Sequence, residues 1–187
     1  MNEYRKILDE FDAYANYTHN LEKNLKNNKP FLEIIKWADI NNISDKALPR
    51  EKEVLKKLTY LNLYGNQLDN LPSTIKYLKN LKELSLTENH FRELPIEIKG
   101  LKNLTTLRIS KNNLSTLPLW IEEFKNLEIL YIVQNDLVEL PSSITKLTNL
   151  KEFWCDESLI KLPDDINELK KLDKYSMSII NNIVVLI

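Results

Sequence analysis

The sequence predicts an α/β solenoid: a horseshoe of stacked coils with a parallel β-sheet on the concave face, short helical or 3-10 turns on the convex face, and an N-terminal α-helical cap. Three observations carry this. Pro49, Pro72, Pro95, Pro118 and Pro141 are spaced by 23 residues, each follows a leucine, and Pro163 comes 22 further on. Within each interval apolar residues first alternate with period two and then recur three or four apart, as in a strand followed by a helical turn. Ahead of the first interval, Tyr4, Ile7, Leu8, Phe11, Tyr14 and Tyr17 fall at helical spacing, as do Leu21 and Leu25.

Aligned on the prolines, the chain reads LTYLNLYGNQLDNLPSTIKYLKN, LKELSLTENHFRELPIEIKGLKN, LTTLRISKNNLSTLPLWIEEFKN and LEILYIVQNDLVELPSSITKLTN, then a shorter LKEFWCDESLIKLPDDINELKK. The shared pattern LxxLxLxxNxLxxLPxxIxxLxN resembles the leucine-rich repeat family, most closely its bacterial 23-residue form, firmly over Leu58 to Leu172 and loosely beyond. The resemblance implies a protein-binding fold that recognises partners on its concave sheet.

The physics of one unit leads to the same fold. Leu58, Leu61, Leu63, Leu68, Leu71, Ile75 and Leu78 are apolar in the first unit, and a single coil cannot bury them. Stacking shares one continuous core, and each strand adds to a parallel sheet. Asn66, Asn89, Asn112 and Asn135 recur where the chain leaves the strand. Backbone groups released there need partners, and a buried amide both donates and accepts. The fifth unit has Ser158 in the asparagine place, one residue fewer, and Cys155 in a leucine slot, so an altered turn is expected.

Both ends of the stack must be closed. LPREKEVLKKL carries the second half of a repeat, with Leu48, Pro49, Leu55 and Leu58 in register. Residues 1–47 are therefore the expected cap, helical to about Asn42, and residues 48–187 the solenoid, packed as one unit. Pro30 opens a second helix candidate whose Phe31, Ile34, Ile35 and Trp37 face inward. The apolar SIINNIVVLI at the far end completes the last coil, or else pairs with another chain as an open edge, so the expected state is a monomer or a weak homodimer.

Composition excludes several function classes. Apolar residues are 43%, charged residues 28% and the formal net charge is −1, so no basic excess suggests nucleic acid. No apolar run reaches a membrane span or a signal peptide, and the one cysteine forms no disulfide within the chain. A cytoplasmic protein is expected, with export by a signal-independent route left open. His19 and His90 cannot supply a multi-histidine metal site, and Gly65 and Gly100 cannot make a phosphate loop. Cys155 reads as a buried, inert thiol. No catalytic residue, metal or cofactor is expected. A bacterial effector presenting substrates to a ligase domain is the enzymatic alternative, and it would need a further domain.

The residues between the strand leucines point to the concave side. Equivalent positions stack about 4.8 Å apart, so they form columns. The first is Tyr60, Glu83, Thr106, Ile129, Glu152 and Lys174. The second is Asn62, Ser85, Arg108, Tyr131, Trp154 and Ser176, and the third Tyr64, Thr87, Ser110, Val133, Asp156 and Ser178. Most are polar, as a solvated face should be. The exceptions cluster: Ile129, Tyr131 and Val133 lie in one coil, with Trp154 on one side and Arg108 on the other. Tyr60 and Tyr64 form a second group.

Strand propensity alone favours such residues, but an apolar patch with a polar rim is the usual appearance of a binding site. The expected function is a non-enzymatic module that binds an unidentified protein or peptide. Its expected site is Tyr60, Asn62, Tyr64, Arg108, Ile129, Tyr131, Val133, Trp154 and Asp156. Leu119 and Trp120, at convex positions, are a possible second contact unless Trp120 packs on its own neighbours.

Overall fold

Each coil turns because its sequence changes period midway. The computed structural model describes residues 28–156 and 163–166, together with residues 16, 19, 23, 26, 161 and 169. The expected helix at Tyr4 to Tyr17, Leu21, Leu25, Ser158, the column members Lys174, Ser176 and Ser178, and the SIINNIVVLI segment lie outside the described residues. A helix, α1, covers residues 28–40, and a short helix, α2, covers Lys52–Leu55. Five strands follow: β1 Tyr60–Asn62, β2 Glu83–Ser85, β3 Thr106–Arg108, β4 Ile129–Tyr131 and β5 Glu152–Trp154. They form one parallel sheet in sequence order.

Between strands lie 3-10 turns at Ser73–Tyr77, Ile96–Gly100, Leu119–Glu123 and Ser142–Lys146. A proline precedes each one. Its fixed φ and missing N–H suit an N-cap, where no backbone donor is needed. Its carbonyl accepts the first bond of the turn, as Pro72 does from Ile75 at 2.9 Å. The recurring core leucines, isoleucines and phenylalanines of the described coils pack into one continuous cluster from Phe31 to Leu169.

The asparagines tie coil to coil. Asn89 accepts from the N–H groups of Asn66 (3.2 Å) and Leu68 (2.9 Å) in the coil before it. Its amide donates to the carbonyls of Leu63, Leu86 and Thr87 at 2.8, 2.9 and 3.2 Å. Asn112 and Asn135 repeat the scheme one and two coils on. Asn66 departs from the expected burial. It is only half-buried and donates to Tyr64 O, because no strand-exit turn precedes it. A second ladder escaped sequence reasoning although its residues recur as strictly. Asn80, Asn103, Asn126 and Asn149 donate to the carbonyls of Lys56, Lys79, Lys102 and Lys125, each 24 residues earlier.

The position before each strand-exit asparagine is left-handed: Gly65 (φ 67°), Glu88 (59°), Lys111 (52°) and Gln134 (58°). Three side chains accept a conformation that only glycine takes freely, held there by the asparagine bonds on either side.

At the front, α1 buries Phe31, Ile34 and Ala38 and packs Ile35 and Trp37, both half-buried, on the core. Pro30 does not open this helix. Residues 28 and 29 are already helical, as are 16, 19, 23 and 26. The C-terminus closes with Asn42 at φ 54°, Asn42 N–H bonding to Asp39 O (3.2 Å) and Ile43 N–H to Ala38 O (2.8 Å). This paired 5→2 and 6→1 arrangement is a Schellman cap, with Ile43 buried beyond it.

Arg50 locks cap to solenoid. Its guanidinium donates to the Asp39 carboxylate (2.7 Å), to Ile43 O (2.6 Å) and to Leu48 O. Its side chain is 22% exposed. Arg50→Ala is expected to cost about 1.5–3 kcal/mol, the range for hydrogen bonds to a charged donor. Urea unfolding against wild type measures it.

Candidate functional site: the concave sheet

The register aligns two of the expected columns residue for residue. Tyr60, Glu83, Thr106, Ile129 and Glu152 are consecutive partners, and so are Asn62, Ser85, Arg108, Tyr131 and Trp154. Backbone bonds carry the ladder past the strand ends, from Gly65 N–H to Thr87 O, Glu88 N–H to Ser110 O and Lys111 N–H to Val133 O.

At the centre, three planar groups stack in sequence. Tyr131 and Trp154 are stacked, with centroids 5.6 Å apart and planes at 18°. The Arg108 guanidinium lies over the Tyr131 ring, 5.4 Å from its centroid. This arrangement follows directly from the register, since Arg108, Tyr131 and Trp154 occupy one position on β3, β4 and β5. The Tyr131 hydroxyl donates to Glu152 at 2.9 Å. Burial, then that carboxylate, pushes the Tyr131 hydroxyl above the ordinary tyrosine range. Arg108 also pairs with Glu83 at 3.5 Å. Ile129 and Val133 flank the stack, half-buried like Tyr131 and Trp154.

The exposure differs from expectation in three respects. First, Tyr60 and Tyr64, at 50% and 51% exposed, are more open than the Tyr131 cluster, whose members cover one another. Tyr64 donates to Glu88, which Lys111 also pairs at 3.3 Å. Second, Ser85, Thr106 and Ser110 are buried although they lie in the concave columns. They are short beside Glu83, Arg108 and Ile129, and the longer neighbours close over them. The face is therefore a low polar floor with aromatic ground at both ends.

Third, Asp156 is turned toward the backbone. Its two oxygens accept from the N–H groups of Gln134 (2.7 Å) and Asn135 (2.9 Å). It does for the fourth coil part of what asparagine does for the others. The fifth unit, lacking an asparagine in register, uses a carboxylate two positions earlier. Asn62 likewise holds its own turn, accepting from Tyr64 N–H at 3.0 Å, and stays exposed.

On the convex side, Trp120 is half-buried, packs on the core and meets Phe124 edge-on at 5.9 Å. Leu119 is 70% exposed beside it. Trp120 also lines an open groove of about 980 Å³ with Ile96, Pro95 and His90. Cys155 is buried at 3% exposure, and its thiol is pushed up to about 12, first by burial and then by the Asp156 carboxylate. A thiolate at neutral pH is thereby disfavoured. A disulfide reagent at pH 8 is expected to leave the native protein unlabelled and to modify it in denaturant. Stability drawn from the protonated thiol is complete below the free-thiol pKa of about 8.5 and is lost as pH rises toward about 12. Among the described residues, no group of three His, Cys, Asp or Glu side chains could hold a metal, and no helix is long and apolar enough to cross a membrane.

Leucine rich repeat profiles match residues 57–78 and 79–137. No curated protein matches the chain. Among solved structures it is similar to an internalin, InlF, of Listeria monocytogenes, with 23% identity over 78% of this chain and 49% of that one, TM-score 0.54. It is similar to the leucine-rich repeat ectodomain of the receptor kinase SOBIR1 from Arabidopsis thaliana, with 24% identity over 64% and 66%, TM-score 0.52. A leucine-rich repeat protein of Leptospira interrogans shares 32% identity over 65% and 38%, TM-score 0.49. The chain thus spans between 38% and 66% of these structures' lengths. InlF and the SOBIR1 ectodomain share its fold. Such domains are, as a family, protein-interaction modules and generally not enzymes. With its 23-residue period, its one-strand-per-coil sheet and both profile matches, this chain belongs to the leucine-rich repeat family.

Proposed function

We propose that the protein is a non-enzymatic binding module whose concave sheet receives a protein or peptide partner. The observation that carries the reading is the Arg108–Tyr131–Trp154 stack on that face. The leucines already fill the core, so none of the three is needed there. The Arg108 guanidinium makes no hydrogen bond among the described residues beyond its 3.5 Å pairing with Glu83, and the side chain is 37% exposed. It keeps a rigid fork of donors available while its stem and plane are fixed on Tyr131. Tyr, Trp and Arg are the residues that most often anchor interfaces. Ile129 and Val133 extend the apolar area, and Tyr60, Asn62 and Tyr64 offer contacts at the other end. Five strands span about 20 Å, enough for one segment of a partner. Asp156 supports the site by holding the fourth turn, and Leu119 is the exposed residue left for any convex contact.

Affinity capture from an extract of the source cell tests the reading. Wild type is expected to retain a partner that the Tyr131→Ala/Trp154→Ala double variant loses. Equal recovery by both proteins would place the partner elsewhere.

A further inference from the structure

We infer that the partner segment is extended and basic, with cations at positions i and i+4 paired to Glu83 and Glu152 and an apolar residue at i+2 facing Thr106 and Ile129. The inference rests on the concave reading above and adds to it the charge and conformation of the occupant.

Charge comes first. Over the fifteen described positions of the three columns there are three carboxylates, Glu83, Glu152 and Asp156, against one guanidinium, Arg108. The Glu83 carboxylate accepts no hydrogen bond among the described residues. Its only partner there is Arg108 at 3.5 Å, and its side chain is 46% exposed. Its register neighbour on β1 is Tyr60, with half its surface open. An aromatic face beside a carboxylate favours a cation and disfavours an anion. Glu152 takes one proton donor, the Tyr131 hydroxyl, and lies next to Trp154. Glu88 shows that a carboxylate on this surface can serve two partners, since Tyr64 and Lys111 both reach it. Glu83 can likewise accept a second cation while Arg108 stays over its ring.

Spacing sets the conformation. Glu83 and Glu152 share a column and are three strand steps apart, about 14 Å. In an extended chain, side chains on one face recur every second residue, so i and i+4 are separated by about 13 Å. A helix returns to the same face at i+7 or i+11, about 10.5 or 16.5 Å, and misses both ways. The residue at i+2 falls about 6.7 Å along, between Thr106 and Ile129. Ile129 is half-buried there and offers an apolar side chain at i+2 a matching surface.

The test uses the full chain and a fluorescein-labelled seven-residue peptide with arginine second and sixth, leucine fourth and serine elsewhere. A control peptide carries glutamate in place of arginine. By fluorescence polarisation at low salt, the arginine peptide is expected to bind at least about tenfold tighter than the glutamate peptide. Glu83→Gln/Glu152→Gln is expected to weaken it at least about fivefold, and added salt to weaken it further. Both substitutions are on the surface, and an unchanged melting temperature shows that the variant is folded. If the glutamate peptide binds as well or better, and Trp154→Ala still weakens it, the basic-segment inference fails while the concave site stands. If the arginine peptide binds wild type, the Gln variant and Trp154→Ala alike, both fail. Absence of arginine-peptide binding up to about 1 mM also overturns the inference.

Discussion

Asn89→Ala is expected to destabilise the protein by about 3 kcal/mol or more, and to do so without touching the concave face. The side chain is 4% exposed and serves five backbone groups in two coils. Truncation leaves the buried donor at Leu68, the half-buried one at Asn66 and the carbonyls at Leu63, Leu86 and Thr87 without this partner. Each unsatisfied buried group costs about 1–3 kcal/mol, and some relax toward water, which limits the sum. Because coil stability in a solenoid depends on neighbouring coils, the loss should appear as a lower urea midpoint or as a broadened transition. Asn89→Asp keeps the acceptor and removes the donors, so it should lose stability too. A midpoint within experimental error of wild type for Asn89→Ala would show that the ladder is not what holds these turns.

Trp154→Ala should weaken partner binding by about 2 kcal/mol or more, roughly thirtyfold in Kd. The indole contributes its own contact area and also supports Tyr131, on which Arg108 rests. Removing it therefore also loosens Tyr131 and Arg108. Arg108→Ala removes only the outer member and should cost less, about 1 kcal/mol, most of it at low salt. Calorimetric titration of the captured partner against both variants gives the ranking. Equal effects, or a larger one for Arg108→Ala, would mean that the stack does not act as a unit.

Much of this was readable in the sequence, for a definite reason. A strict repeat converts position in the chain into position in space, so the alignment that matched Pro72 to Pro95 also matched Asn62 to Ser85, Arg108 to Tyr131 and Tyr131 to Trp154. The stack follows from the columns. What the sequence hid are features that depend on side-chain length or on the break in the repeat. Burial of Ser85, Thr106 and Ser110 depends on how far their neighbours reach. Asp156 took over a backbone duty through space, which alignment with the asparagines of other coils could not reveal. Pro30 reads as a helix start because proline suits the first helical position, whereas residues 28 and 29 ahead of it are already helical. The second asparagine ladder was visible as a periodic residue, but only the geometry shows that each amide reaches the carbonyl of the coil before it.

The account depends most on the partner landing on the inner face of the fourth and fifth coils. Hydroxyl-radical footprinting of the complex reads this residue by residue. Tyr131 and Trp154 should become protected on binding while Leu119 and Ile96 react as in the free protein. Protection of Leu119 and Ile96, with Tyr131 and Trp154 reacting unchanged, would contradict it.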